Sequence, residues 1–87
     1  MAWKIIFTGK AQKQINHLDK TIQSRIKKAI LTKLIINPLA HLEPLVGEFG
    51  GYYKFRIGDY RLICTKEEKE LVVIVVEIGH RSAVYKT

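Results

Sequence analysis

Two kinds of apolar spacing run along this chain, and each predicts its own elements. The run "WKIIF" (3–7) is short, apolar and β-branched, which predicts a first strand. The spacing then changes. Thr8 can cap a helix in which Ala11, Ile15 and Leu18 recur at i, i+4 and i+7 as one apolar stripe. Asp19 offers a second cap. Beyond it Ile22, Ile26, Ala29 and Ile30 share a face, with Lys20, Gln23, Lys27 and Lys28 largely off it. Asn37-Pro38 ends that helix, because the proline ring disfavours helical backbone in the residue before it. Residues 38–51, with two prolines and three glycines, read as a loop.

Three strand-like runs follow, at 52–57, 60–65 and 70–78, with the charged "TKEEKE" as the turn between the last two. The "LVVIVVEI" run is apolar on both faces, which marks a strand in the middle of a sheet. The order β-α-α-β-β-β predicts a single α+β domain over residues 1–87. Its two N-terminal helices pack on one face of a small, mainly antiparallel sheet of about four strands.

The stretch "YYKFRIGDYRLIC" (52–64) carries the candidate chemistry. Gly58-Asp59 is a two-residue hairpin signal, and it fixes a register: Ile57 opposite Tyr60, Arg56 opposite Arg61, Phe55 opposite Leu62, Lys54 opposite Ile63. Alternation then puts Tyr53, Phe55, Ile57, Tyr60, Leu62 and Cys64 on the core side. Tyr52, Lys54, Arg56, Arg61 and Ile63 fall on the open side. Like charges directly opposed on a sheet repel, so Arg56, Arg61 and the nearby Lys54 suggest a bound anion, with phosphate the natural one. The plain alternative is a solvated face relieved by Glu48 or Glu77.

Charge sharpens that pattern. Fifteen Lys and Arg against eight Asp and Glu leave the chain at +7, which favours a polyanionic partner, nucleic acid first; a surface merely kept soluble is the plain alternative, and placement of the charges decides between them. Cys64 is alone, which rules out a disulfide framework and fits a reducing cytoplasm; in its apolar run it reads as a small buried hydrophobe. His17, His41, His80 and the one cysteine show no metal-ligand spacing, so no metal or other cofactor is expected. Too few apolar residues follow the first charge to form a signal-peptide core, and "LVVIVV" is far short of a membrane span. A soluble, cytoplasmic chain with no membrane partner is the expectation.

The C-terminal "EIGHRSAVYKT" can turn back over the sheet after Gly79, bringing Arg81 and Tyr85 toward the cations. Arginine can grip a phosphate with two prongs and tyrosine can stack on an exposed base. Against this stand a surface histidine at His80 and an aromatic at Tyr85 that only packs the tail down.

The paired signature "GDYR … GHR … VY", with the early helices and the "LVVIVVEIGHRSAVY" ending, resembles the RelE family of bacterial toxins. That family lies within the RelE/ParE superfamily of type II toxin–antitoxin modules. The likeness runs from "WKIIF" to Tyr85. It implies a metal-independent endoribonuclease that cuts messenger RNA in the A site of the small (30S) ribosomal subunit, the message's own 2′-hydroxyl attacking the adjacent phosphate. It carries the family's active-site positions to Lys54, Arg56, Arg61, Arg81 and Tyr85. On that basis Arg56 and Arg61 stabilise charge, and Lys54 holds phosphate or acts as base among cationic neighbours. Arg81, with His80 as a second candidate, assists the leaving group, and Tyr85 stacks on or orients a base. A cognate antitoxin, joined in a hetero-oligomer, is implied as well. The same fold admits two other roles: a ParE-like inhibitor of DNA gyrase, which needs no such basic set, or a non-catalytic RNA-binding module.

Overall fold

The computed structural model describes residues 2–47 and 50–80. Strand β1 (Lys4–Phe7) leads into helix α1 (Gly9–Asn16) and helix α2 (Lys20–Ala29), which continues as a π-helical turn, Ile30–Leu34. A short helix α3 (Pro38–His41) and a two-residue strand β2 (Glu43–Pro44) precede β3 (Tyr53–Ile57), β4 (Tyr60–Glu67) and β5 (Val72–His80). The strands form one sheet in the order β1-β5-β4-β3-β2. Its β1–β5 pair is parallel and the other pairs are antiparallel.

Both long helices start and lie where the apolar stripes place them. Thr8 Oγ1 accepts from the Ala11 amide at 3.2 Å, holding an otherwise unpaired first-turn donor. Ala11, Ile15, Ile26 and Ile30 are buried against Phe55, Ile57, Leu62, Cys64, Val73, Val75 and Ile78, all from one face of the sheet. Asp19 precedes α2 but makes no side-chain cap; only its carbonyl accepts, from Gln23.

The π turn has a clear cause. Continued as an α-helix, the stripe Ile22–Ile26–Ala29 would next meet position 33, a lysine, at the core. The one extra residue of the wide turn, closed by the Ile35 amide on the Ile30 carbonyl at 3.0 Å, brings in Leu34 instead. Leu34 is fully buried and Lys33 stays exposed.

β5, an interior strand, needs both its edges satisfied. β4 covers one, and β1 covers the other only as far as Val75. Beyond that point α1 takes over. The Thr8 amide donates to the Val75 carbonyl, the Thr8 hydroxyl to the Val76 carbonyl, and the Ile78 amide to Gln14 Oε1 at 2.7 Å. As far as Ile78, α1 thus occupies the edge of β5 that β1 leaves, where another chain could otherwise pair.

Three expectations are corrected. The sheet has five strands, and the segment read as a loop contains α3 and β2. A two-residue strand has no periodicity to detect; only its pairing, Glu43 with Lys54 and Pro44 with Tyr53, defines it. β4 also runs on through Thr65, Lys66 and Glu67, so the turn begins later than "TKEEKE" suggests. Lys66 is tolerated on the core side because its ammonium lies 5.1 Å over the Tyr53 ring and bonds Glu68.

Candidate functional site

The β3–β4 hairpin turns at Gly58, whose φ of +60° is available to glycine without strain. Only the first turn residue has a positive φ, the glycine-first arrangement of type II′ hairpins. The register is the one the sequence predicts: Lys54 with Ile63, Phe55 with Leu62, Arg56 with Arg61, Ile57 with Tyr60. Phe55 and Leu62 are buried under the helices, so Lys54, Arg56 and Arg61 share the opposite face.

Their environments differ. The Arg56 side chain is 57% exposed, with Nε 3.7 Å from Glu43 Oε1. Arg61, in contrast, is only 9% exposed. The expectation of two arginines side by side on an open surface therefore holds for their register and fails for Arg61's exposure. Lys54 is half-buried, and both it and Arg61 interact with other groups of the chain. Ile63 and Gly79, the neighbours of Lys54 and Arg61 across the ladder, add no charge to this surface.

Glu43 is the residue that sequence reasoning missed. β2 places it in register with Lys54, on the face of the cations and within reach of Arg56. The one available signal was Pro44, since proline inside a sheet is confined to edge strands. Glu77, considered as relief for the arginines, instead meets Lys10 of α1 at 2.5 Å. Glu48 lies outside the described residues.

His80 goes elsewhere. It pairs with Tyr60, one step out of phase with Gly79 and Arg61, and its ring stands edge-on to the Tyr60 ring at 5.5 Å. Alternation thus assigns it to the helix side, apart from Lys54, Arg56 and Arg61. Arg81 and Tyr85 lie outside the described residues. The site in hand is a carboxylate and three cations fixed on adjacent strands, able to bind an anion and to take a proton beside it.

The model of the ParE toxin family of type II toxin–antitoxin systems matches residues 5–85. The chain belongs to that family. Within the wider RelE/ParE superfamily this toxin is 26% identical to Toxin RelG of Mycobacterium tuberculosis over 86 residues, 99% of each chain. Its fold matches the toxin–antitoxin complex RelBE2 of the same organism with a TM-score of 0.87 at 25% identity, covering 93% of this chain and 100% of that one. The isolated Escherichia coli RelE toxin matches with a TM-score of 0.74 at 28% identity, covering 97% and 92%. This chain is thus a RelE-like toxin of a type II module, and the RelE resemblance read from the sequence holds. Among the toxin's described residues no helix is long and apolar enough to cross a membrane.

Proposed function

We propose that this toxin is an endoribonuclease that cuts messenger RNA in the ribosomal A site, in the cytoplasm, and is held inactive by a cognate antitoxin in a hetero-oligomer. The observation that carries the reading is the convergence of Lys54, Arg56 and Arg61 with the Glu43 carboxylate on one rigid sheet face. An inhibitor that acts only by binding a protein has no need of this set.

In the reaction the 2′-hydroxyl loses its proton, its oxygen bonds to the adjacent phosphorus, and the bond from phosphorus to the 5′-oxygen breaks. The products are a 2′,3′-cyclic phosphate and a protonated 5′-hydroxyl. Glu43 accepts the first proton, a role arginine is too basic to fill, with Lys54 as the alternative; the register of Glu43 beside Lys54 supports this. Arg56 and Arg61 stabilise the charge that builds on the phosphoryl oxygens. Arg81, directly after His80 in sequence, serves the leaving oxygen, and Tyr85 orients a base. No metal takes part.

The test is induced expression with two readouts. Translated messages are expected to be cut while the same RNA, deproteinised, is cut poorly, because the ribosome supplies positioning that this small face lacks. Gyrase-dependent DNA breaks with intact messages would instead assign the toxin to the ParE-like inhibitors.

A further inference from the structure

A second basic surface lies round the edge of β3 from the site. α2, its π turn and the hairpin enclose an open groove of about 300 Å³, lined by Arg25, Lys28, Thr32, Lys33, Arg56 and Gly58 among others. Among the described residues no carboxylate lines it. Of the nearest acids, Asp59 lines the adjoining hollow with Arg25, and Glu43 meets Arg56 from the sheet side. Four cations on one groove repel one another, and of these only Arg56 has an ion pair among the described residues, with Glu43 on the other side.

One local feature sets Lys33 here: the π turn takes it off the core stripe and leaves it beside Lys28 on the groove. Between them Thr32 turns its hydroxyl back to the Lys28 carbonyl at 2.8 Å. From Arg25 to Thr32 the helix advances roughly 10 Å, which matches about three nucleotides of a stacked strand at about 3.4 Å each. Arg56 belongs to both surfaces, so a strand lying in the groove would pass directly to the sheet-face site.

We infer that this groove binds the phosphate backbone of RNA flanking the scissile nucleotide, without reading its sequence. The inference deepens the nuclease reading and rests on it for the polarity of the track, from groove to site. Backbone contact alone suits the lining: its polar groups are four cations and Thr32, and among the described residues it has no aromatic ring on which a base could stack. An acidic protein segment is the rival occupant. The cations Arg25, Lys28 and Lys33 follow one another along one helix and lead to Arg56, a continuous line of charge that suits a regularly charged strand better.

The experiment measures anisotropy of a fluorescein-labelled, 2′-O-methylated RNA of about 15 nucleotides, which cannot be cleaved by 2′-hydroxyl attack. The variant R25Q/K28Q/K33Q is compared with K13Q/K20Q/K69Q, which removes equal charge from other exposed positions. Circular dichroism checks that both fold. The groove variant is expected to bind about tenfold more weakly, or worse, and to lose about 2 from the slope of log affinity against log salt, as removal of three contacts to a single strand predicts. The control is expected to stay within about twofold of wild type. Equal weakening of both variants, or wild-type binding by the groove variant, would overturn the inference. So would a groove variant that loses affinity for a polyglutamate peptide while keeping its RNA affinity. Because the probe cannot be cut, loss of binding supports the groove even if messages prove intact on induction, which would sink only the nuclease reading.

Discussion

Arg56 and Arg61 stand directly opposite one another on β3 and β4, and one is exposed while the other is buried. Like charges so placed repel, and only the exposed one can be relieved by water. The burial of Arg61 makes it part of the folded framework as well as of the cationic face. Arg56→Ala is therefore expected to unfold within about 0.5 kcal/mol of wild type, and Arg61→Ala to lose about 1–3 kcal/mol. Both should lose message cleavage, and Arg61→Lys should not restore it fully, because a point charge replaces a planar fork. Urea unfolding beside a cleavage assay separates the two.

Glu43 and Arg56 are both more than half exposed, so their ion pair contributes less than about 1 kcal/mol. Glu43→Gln should accordingly melt like wild type. If the carboxylate takes the 2′-hydroxyl proton, single-turnover cleavage should fall about 100- to 10,000-fold. A fall of only a fewfold would confine Glu43 to positioning Arg56.

Arg81 lies outside the described residues, and its expected role follows from the "GHR" signature. As a transition-state contact, its removal should cost on the order of 100- to 1000-fold in rate. Arg81→Ala is expected to keep its melting temperature and its antitoxin binding while growth arrest disappears. Lys27→Ala, at an exposed position of α2, should change neither. Undiminished toxicity of Arg81→Ala would remove this residue from the mechanism.

Burial pushes the Cys64 thiol up from its ordinary 9.0 to about 12. The folded state thus keeps a proton that the unfolded chain releases. Below about pH 9 the full stability is present, and it declines as the pH rises from there toward 12. Native protein should resist iodoacetamide at pH 8.5 and react fully once unfolded in urea. Cys64→Ala, though less stable at neutral pH through its cavity, should show a shallower loss of stability in the alkaline range. Rapid alkylation of the native thiol would contradict this placement.

Much of this was legible because the signals were periodic. The stripe Ala11–Ile15, the stripe Ile22–Ile26 and the Gly58-Asp59 register each follow from repeating geometry, and each is found. What escaped detection was set by contacts distant in sequence. β2 exists only as a partner of β3, so Glu43 looked like a loop residue. The burial of Arg61 cannot be read from alternation, which assigns a face but not what covers it. The bulge between Ile63 and Cys64 shifts the pairing of β5, and with it the side on which His80 falls. Position 33 looked like an ordinary helix residue because helical spacing takes no account of one extra residue in a turn.

The parallel pairing of β1 with β5 joins Lys4 to Val72 and Phe7 to Val75, nearly the two ends of the chain. Contacts between residues so far apart in sequence form late in folding, because the loop between them must close before they can pair. The hairpin that carries Lys54, Arg56 and Arg61 joins sequence neighbours and can form first, while β5, inserted between β1 and β4, closes the framework behind it. The cations are thus held in their final arrangement only once the slowest pairing of the sheet is complete.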